Sequence, residues 1–592
     1  MRLGTIDWVV ILVYFLLNIA VGLYFRRKAG TGTGEFFVSG RDAAWWLAGT
    51  SMVATTFSAD TPLAVTGLVA NNGIAGNWLW WNYAFSGMMT VFLFARLWRR
   101  SEVITDVELV ELRYSGGPAA FLRGFRAIYF GVFMSSIIMG WINLAMAKVI
   151  LTTMGIEKKE AILLCLPIMF IAMLYSSLSG LRGVLWTSLF QFVLMMGMTI
   201  LLGIYSVKAV GGLAAMKEKL TALDAVRAAE GGSGSIMDFF PSFDSAWLPF
   251  MAFFVFIAVN WWATWYPGAE PGGGGYVAQR IFCAKDEKHS LWATMWFNVA
   301  HYALRPWPWI LTALASVILY PDLIDKEVGF IHMMTDHMPP ALRGLMLASF
   351  LAAYMSTIAT HLNWGASYFV NDFYQRFLAP NRSERHYVAI SRLATLGLMM
   401  IGGGVSFFLE SVADAWQLLI NIGAGTGAVY LLRWYWWRIN AWSEIAAMST
   451  AAFVAILLQA GFGLDPTKNL DFAHLILITV SITSVVWIAV TFLTSPVPKE
   501  KLLEFYRRTR PTAAGWQPIA MMAPEIPPDR EGWYNLKYWL LGCAMVYLSM
   551  FSIGKFLLGD PRVAALLALG AFVSGYWLYR DFSRRGWARF GE

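Results

Sequence analysis

The sequence predicts an all-α polytopic membrane protein with about fifteen transmembrane helices, and three observations support this fold class. The chain of 592 residues is 58% hydrophobic and only 14% charged, with a mean hydropathy of +0.55. Apolar runs of about 20 residues, the length that a helix needs to cross a bilayer, recur along nearly the whole chain. These runs lack the two-residue alternation that is typical of membrane β-barrels.

The apolar runs locate the predicted spans. They fall near 5–25, 43–70, 78–98, 127–152, 160–180, 184–207, 247–266, 290–320, 341–374, 387–409, 412–436, 441–462, 473–494, 536–554 and 563–580. The first run is too long for a signal peptide and has no small-residue cleavage site after it, so we expect a retained span. Residues 212–229, outside the membrane, predict a short surface helix.

Lys and Arg residues predict the orientation of the spans, because cytoplasmic loops are enriched in them. With the N-terminus outside, about 31 of the 45 basic residues fall on the inner side, and the alternation holds through every predicted crossing. The C-terminus is then cytoplasmic. This pattern explains the net charge of +8 without a nucleic-acid partner. We expect a plasma membrane, such as a bacterial inner membrane, with lipid as the surrounding partner.

Several functional classes receive no support from the sequence. The three cysteines, Cys165, Cys283 and Cys543, are scattered and form neither a disulfide framework nor a metal-ligand spacing. The glycine run at 271–275 lacks the Gly-Lys-Ser/Thr of a phosphate-binding loop, so we interpret it as a hinge or turn. No nucleophile–base pair is visible. We therefore expect no enzyme activity, no organic cofactor and no coupling to ATP.

One predicted span has polar residues and a helix breaker at its centre. The stretch "GTSMVATTFSADTPLAVTGLV", residues 49–69, contains Ser58, Asp60, Thr61 and Pro62. Pro62 has no amide proton and should interrupt the hydrogen-bond ladder near residue 58. The freed carbonyls and the hydroxyls would form an oxygen cage, which suits a hard cation such as Na⁺. The alternative is a proline kink whose polar groups are satisfied by a neighbouring helix.

A second span presents small and hydroxyl-bearing residues on one face. Ala353, Ser356, Thr357 and Thr360 follow the i, i+3, i+4, i+7 spacing of a helix face. Such a stripe in a membrane has two interpretations, close packing of helices or ligation of a cation.

Two further spans contain polar groups at membrane depth. Asn260 lies among tryptophans in 254–280, and an amide with aromatic faces suits a small polar organic solute. His301 and Arg305 lie within the span 290–320. A buried arginine is costly in a bilayer, so Arg305 should have a partner or a water-filled path.

With these residues the chain resembles the sodium:solute symporter family from about residue 5 to about residue 460. The matching segments, in their order and spacing, include "FFVSGRDAAWWLAGTSMVATTFSADTP", "RRSEVITDVELVELRYSG", "YSSLSGLRGVLWTSLFQFVLMMG", "GYVAQRIFCAKDEKHS", "AAYMSTIATHLNWGASYFVNDFY" and "LLRWYWWRIN". The resemblance implies a LeuT-type core of five-plus-five inverted repeats with extra flanking helices.

The resemblance also implies a division of the chain. The expected segments are a first flanking helix with its inner loop at 1–42, a first repeat at 43–207, an external loop at 208–246, a second repeat at 247–440, two further helices at 441–494, a cytoplasmic polar segment at 495–535, and two C-terminal helices with a basic tail at 536–592.

The family's sodium site lies between the first core helix, at its break, and the eighth. Carried over to this sequence, the resemblance implies the backbone carbonyls of Ala54, Phe57 and Ala353 as ligands, with the hydroxyls of Ser356 and Thr357.

Solute contacts in the family come from the broken helix and from other core helices. The residues implied here are Ser58, Asp60, Thr61, Trp81, Asn82, Asn260, Trp261 and Gln417. The lysine that some sugar carriers use is absent, and His301 or Arg305 could replace it. Many relatives have Asp on the inner sodium path where this chain has Ser188, and the "PGAEPGGGG" stretch is longer than usual.

The predicted function is sodium-coupled symport of a small polar organic solute, with a sugar or related solute favoured, by alternating access. The first alternative is a proton-coupled or uncoupled carrier of the same fold, for an amino acid or a carboxylate. A more distant alternative is a membrane sensor built on a transporter fold, although no signalling domain is visible.

Overall fold

This computed structural model describes residues 4–29, 32–229, 232–244, 248–266, 268–409, 412–466, 468–527, 529 and 532–585. The described residues are almost wholly helical, and their only β-type pairing is an isolated bridge between Ala43 and Ala284. The fold class predicted from hydropathy is therefore confirmed.

Eight helices within the described ranges are long and apolar enough to cross a membrane. They are Gly116–Met154, Ser176–Ala209, Leu342–Leu378, Glu384–Val405, Ala441–Gly461, Asn469–Leu493, Gly532–Leu558 and Pro561–Arg584. The other predicted spans coincide with helices that are shorter or interrupted. These are Thr5–Ala29, Trp45–Thr56, Asp60–Asn72, Trp78–Trp81, 84–101, Phe250–Ala263, 287–304, Pro306–Leu319, Val412–Gly423 and Gly427–Tyr435.

Two predicted spans, 160–180 and 184–207, form one long helical segment, Lys158–Ala209, with a break at Gly180. Gly180 has φ of +57°, and a Cβ there would lie 2.7 Å from the Phe36 carbonyl oxygen. Glycine is needed here because the backbone has a positive φ and approaches another segment closely. The predicted surface helix is also present, as Leu213–Ala229.

The helix Leu342–Leu378, which we call the hydroxyl helix, lies at the centre of the molecule. In its most apolar stretch of 18 residues, 94% of the residues are buried. The buried share of the corresponding stretch is 28% and 22% in the two C-terminal helices. The hydroxyl helix packs against Thr5–Ala29, Lys158–Ala209 and Trp45–Thr56. Small residues such as Ala352, Ala353 and Ala359 allow these close approaches.

A second broken helix is a finding that the hydropathy pattern did not predict. Its two halves are Phe250–Ala263 and Gly275–Cys283, which we name the outer and the inner half after the orientation that the Lys and Arg residues predict. The sequence indicated a span at 247–266 and a turn at 271–275, but not the short half that follows. Two backbone hydrogen bonds connect this break to the end of the helix Val412–Gly423. The Gly425 N–H donates to the Ala263 carbonyl at 2.8 Å, and the Trp265 N–H donates to the Gly423 carbonyl at 3.2 Å.

Candidate functional site

The first broken helix is interrupted where Pro62 predicted a break. Its halves, Trp45–Thr56 and Asp60–Asn72, are separated by residues 57–59, and Phe57 has φ −88° and ψ 48°. Pro62 lies in the first turn of the second half, where its missing amide proton leaves no helical hydrogen bond unmade. The non-helical backbone is buried, so its polar groups face other protein groups or a cavity.

The hydroxyl helix contacts this break directly. The Thr357 hydroxyl donates to the Thr55 carbonyl at 2.8 Å and to the Ala353 carbonyl at 3.0 Å. The hydroxyls of Thr55 and Thr360 lie 3.0 Å apart. The two segments that the sequence singled out, 54–57 and 353–357, therefore meet in the interior, where carbonyl and hydroxyl oxygens gather.

The remaining residues of the implied sodium site are at or near the same junction. Ala54, Phe57 and Ser356 are all buried, and Phe57 N–H bonds to the Ala54 carbonyl at 3.2 Å. The Ser356 hydroxyl lies 3.2 Å from that of Ser188. The serine that replaces the acid of many relatives thus extends the group of oxygens toward the Lys158–Ala209 segment.

A partly enclosed cavity lies beside the junction. Its polar lining includes the predicted residues Ser58, Asp60, Thr61, His301 and Arg305. Its aromatic lining consists of Trp80, Tyr83, Trp141, Tyr266, Tyr276, Tyr302 and Trp416. A concave site with apolar walls and a few converging polar groups is typical of a small-molecule binding site.

Asp60 and Ser58 supply unpaired polar atoms to this cavity. The Asp60 Oδ2 atom accepts a hydrogen bond from Trp416 Nε1 at 3.1 Å. Among the described residues, Asp60 Oδ1 and Ser58 Oγ have no hydrogen-bond partner, although both side chains are buried. Buried polar atoms are rarely left unpaired, so these two are suited to bind a ligand.

Arg305 has a polar and aromatic surrounding rather than a carboxylate partner in the described part of the chain. It donates to the Thr56 hydroxyl at 3.0 Å and to His301 Nδ1 at 2.5 Å. Its guanidinium group lies 4.8 Å from the ring centroid of Trp309 and 5.4 Å from that of Phe57. The cavity and these partners account for a cation at membrane depth, as the sequence required.

Trp81 and Asn82 do not line the cavity; their neighbours Trp80 and Tyr83 do. Trp81 instead packs on Trp78 and Phe551 behind the cavity. The residues chosen from the sequence thus lie one position away from the residues that line the cavity. One position along a helix rotates the direction of the side chain by about 100°.

Asn260 and Trp261 also lie outside the cavity lining. The Asn260 amide donates to Asn82 Oδ1 at 3.2 Å, and the Asn260 carbonyl accepts from the Thr264 hydroxyl at 2.8 Å. Thr264 in turn contacts the Tyr83 hydroxyl at 3.1 Å, so Asn260 positions a lining residue from behind. Trp261 packs on Trp539.

Gln417 belongs to the helix Val412–Gly423, and its side chain is outside the described part of the molecule. The preceding residue, Trp416, does line the cavity.

The sequence reasoning missed the tyrosines of the cavity and a buried arginine. Tyr266 and Tyr276 come from the two ends of the break in the second broken helix. Arg280 donates to the Thr360 hydroxyl at 2.9 Å and so connects that helix to the hydroxyl helix. An arginine within an apolar segment was a signal for such a buried role.

Comparison with known proteins places this arrangement in a family. The sodium:solute symporter family matches residues 36–450. The sodium/glucose cotransporter of Vibrio parahaemolyticus is 24% identical over 77% of this chain and 86% of its own length. The rabbit sodium/glucose cotransporter 1 is 24% identical over 90% of this chain and 87% of its own length.

A solved structure shares the fold. A sodium-coupled sialic acid symporter in a substrate-bound outward-open state superposes with a TM-score of 0.65 and 19% identity, covering 84% of this chain and 99% of the symporter chain. The architecture is thus of the LeuT type, a polytopic helical membrane protein. The chain belongs to the sodium:solute symporter family, as a sodium-coupled carrier of a solute.

Proposed function

We propose that the chain imports a sugar or a related polyol together with Na⁺ by alternating access. The observation that carries this proposal is the pair of unpaired polar atoms, Asp60 Oδ1 and Ser58 Oγ, in an aromatic-walled cavity beside an oxygen-rich helix junction. Sugar rings have apolar C–H faces that pack on aromatic rings and hydroxyls that bind carboxylates and arginine.

The relatives support this substrate class. Besides the sodium/glucose cotransporters, they include a bovine sodium/mannose cotransporter and a human sodium/myo-inositol cotransporter 2, each 24% identical to this chain. Polyhydroxylated rings are common to these solutes.

The proposed sodium site comprises the carbonyls of Ala54, Phe57 and Ala353 and the hydroxyls of Ser356 and Thr357. In the structure the Thr357 hydroxyl donates to two carbonyls of the junction. Bound sodium would take the Ala353 carbonyl from this hydrogen bond as a ligand, and the Thr357 hydroxyl would turn a lone pair toward the ion. Ion binding would then order the break and favour the solute-binding state.

The same broken helix would contact both ligands, so their binding is linked. One Na⁺ that moves inward through 100 mV supplies about 2.3 kcal/mol, and the concentration gradient adds to this. We further propose that the N-terminus is external and the C-terminus cytoplasmic, because the Lys and Arg distribution favours this orientation.

The test is solute uptake by purified protein in proteoliposomes, with a sodium gradient, a proton gradient or neither. A thermal-shift screen of sugars, polyols, amino acids and carboxylates with and without Na⁺ selects the solute. We expect a sugar or polyol to stabilise the protein only with Na⁺. Stabilisation by an amino acid instead would contradict the substrate class.

The sodium site is tested by Ser356→Ala combined with Thr357→Ala. We expect loss of sodium-driven uptake and a weaker sodium affinity, because the double variant removes both hydroxyl ligands. Ser367→Ala on the same helix is the matched control, since its hydroxyl bonds only to the Trp364 carbonyl among the described residues. An unchanged sodium affinity in the double variant would exclude this site.

In the same proteoliposomes, uptake driven by a proton gradient without Na⁺ would contradict sodium coupling.

A further inference from the structure

Two buried carboxyl groups meet at the break of the second broken helix, away from the proposed sodium site. Asp106 and Glu270 are 6% and 4% exposed. Asp106 Oδ2 accepts from Gly275 N–H at 3.3 Å, and Gly275 is the first residue of the inner half. A Cβ on Gly275 would lie 2.4 Å from Glu270 Oε1, so both acids approach the same glycine.

The two acids have different surroundings. Asp106 accepts hydrogen bonds from the Tyr368 hydroxyl and from the N-terminus of the inner half-helix, whose dipole favours a negative charge. Glu270 Oε2 accepts from Gly268 N–H at 3.0 Å. Among the described residues Glu270 Oε1 has no partner. Of the two, Asp106 is therefore the better stabilised as a carboxylate.

The positive charges near this pair are engaged elsewhere. Arg126 and Arg433, which act on Asp106 electrostatically, form ion pairs with Glu444 at 3.0 Å and 3.4 Å. In the described part of the chain neither carboxylate of the pair has an ion-pair partner of its own. Two neighbouring buried carboxyls without such a partner are expected to share a proton.

Two further titratable side chains, Tyr276 and His361, lie near the pair. Tyr276 is close enough to interact electrostatically with Glu270. The His361 ring contacts the rings of Tyr276 and Trp364, at 5.8 Å and 5.4 Å.

The space beside Glu270 Oε1 fits a proton better than a metal cation. The point 2.4 Å from Oε1 where a Gly275 Cβ would lie is also 3.3 Å from Trp364 Cζ2. The backbone and an indole ring thus fill this side of the carboxyl, whereas Na⁺ needs several oxygen ligands around it.

We infer that Glu270 holds an exchangeable proton while the inner half, Gly275–Cys283, is docked, and releases it when that half moves away. In the release step the O–H bond of the carboxylic acid breaks and the proton passes to water at the inner face, leaving a carboxylate. The carboxylate that is left on Glu270 would be repelled by Asp106, and this repulsion opposes the return of the inner half to its docked position. This inference rests on the alternating access of the proposed function.

The first experiment is infrared difference spectroscopy of the purified full chain, titrated with pH in NaCl. We expect a carbonyl band of a protonated carboxylic acid that is lost at alkaline pH. The band should be absent in Glu270→Gln, which keeps the shape of the protonated side chain. Glu287→Gln, at an ion pair with Arg100, is the control that keeps it. A band unchanged in Glu270→Gln would overturn the inference without affecting sodium-coupled transport.

The second experiment measures exchange of radioactive sodium in inverted membrane vesicles, whose inner face meets the medium. In the wild type we expect the exchange rate to rise with the pH of the medium, by no more than about tenfold per pH unit for one proton. Glu270→Gln should exchange sodium at a rate that is independent of pH, and Glu287→Gln should follow the wild type. Equal pH profiles for all three proteins would exclude a role for Glu270, even where sodium exchange itself is intact.

Discussion

The unpaired atoms of the cavity come from side chains next to a helix break. Asp60 lies at the start of the second half of the first broken helix, and Ser58 lies within the break. A regular helix would turn neighbouring side chains away from one another by about 100° per residue. The break lets Ser58, Asp60 and Thr61 face one cavity, and this is why so few residues supply much of its polar lining.

Replacing Asp60 tests this at the residue scale. Asp60→Asn should weaken solute binding by about 1.5–3 kcal/mol, the contribution of a hydrogen bond to a charged group, and leave sodium affinity without solute unchanged. Equilibrium binding of the solute selected by the screen is the measurement.

Asp325→Asn is a suitable control for Asp60→Asn, because this carboxylate lies outside the cavity lining in an ion pair with Lys148 at 2.9 Å. If Asp60→Asn binds the solute as tightly as the control does, Asp60 is not a solute ligand.

At the scale of elements, ion pairs connect the ends of helical segments that are distant in sequence. Glu111, outside the membrane spans, accepts from Arg376 at 2.9 Å and from Arg123 at 2.8 Å, and Arg123 also pairs with Asp372 at 2.8 Å. These contacts join the segment Leu109–Arg113 to the end of the hydroxyl helix. They therefore hold these segments together in this structure.

The pH dependence of stability should report this cluster. Burial raises the pKa of Glu111, but hydrogen bonds from Arg376 and Arg123 outweigh it and hold the pKa below its ordinary value of 4.5. A lowered pKa in the folded state means that the ionised group stabilises the fold above pH 4.5 and loses this effect as the pH falls through the lowered value.

Glu111→Gln should therefore reduce the free energy of unfolding at neutral pH by about 1 kcal/mol and so lower Tm. The effect is this small because Arg376 is half-exposed. The difference from the wild type should shrink in acid, as thermal melts across pH would show. Glu504→Gln, at an exposed pair with Lys501, should have no such effect. A difference in Tm that persists in acid would contradict the role given to the ion pairs.

At the scale of the whole molecule, the proposed sodium and solute sites share the first broken helix. The first broken helix contributes the Thr55 carbonyl to the junction with Thr357 and Asp60 to the solute cavity. Arg280 and Thr360 connect the second broken helix to the same junction, through the contact between Thr360 and Thr55. Ordering one site therefore changes the cost of ordering the other.

This coupling must be reciprocal. If Na⁺ raises solute affinity by some factor, bound solute must raise sodium affinity by the same factor. Calorimetric titration of each ligand in the presence and absence of the other measures both factors on one sample. Solute binding that is independent of Na⁺ would contradict a mechanism that links the two sites through residues 55–60.

The sequence alone determined the class of the protein and the location of the break in the first broken helix. Apolar length and the interruption at Pro62 depend only on local chemistry, so the helices and the break at 57–59 could be predicted. The stripe at 353–360 was visible for the same reason, although its two interpretations needed the neighbouring helix.

Only the tertiary structure decided which side chains share the cavity. The choice of Trp80 and Tyr83 over Trp81 and Asn82 depends on the rotation of one helical segment against its neighbours. The start of Gly275–Cys283 and the meeting of Asp106 with Glu270 depend on the backbone path through glycines with positive φ. A local pattern carries no information on such rotations and backbone paths, because the packing of distant segments fixes them.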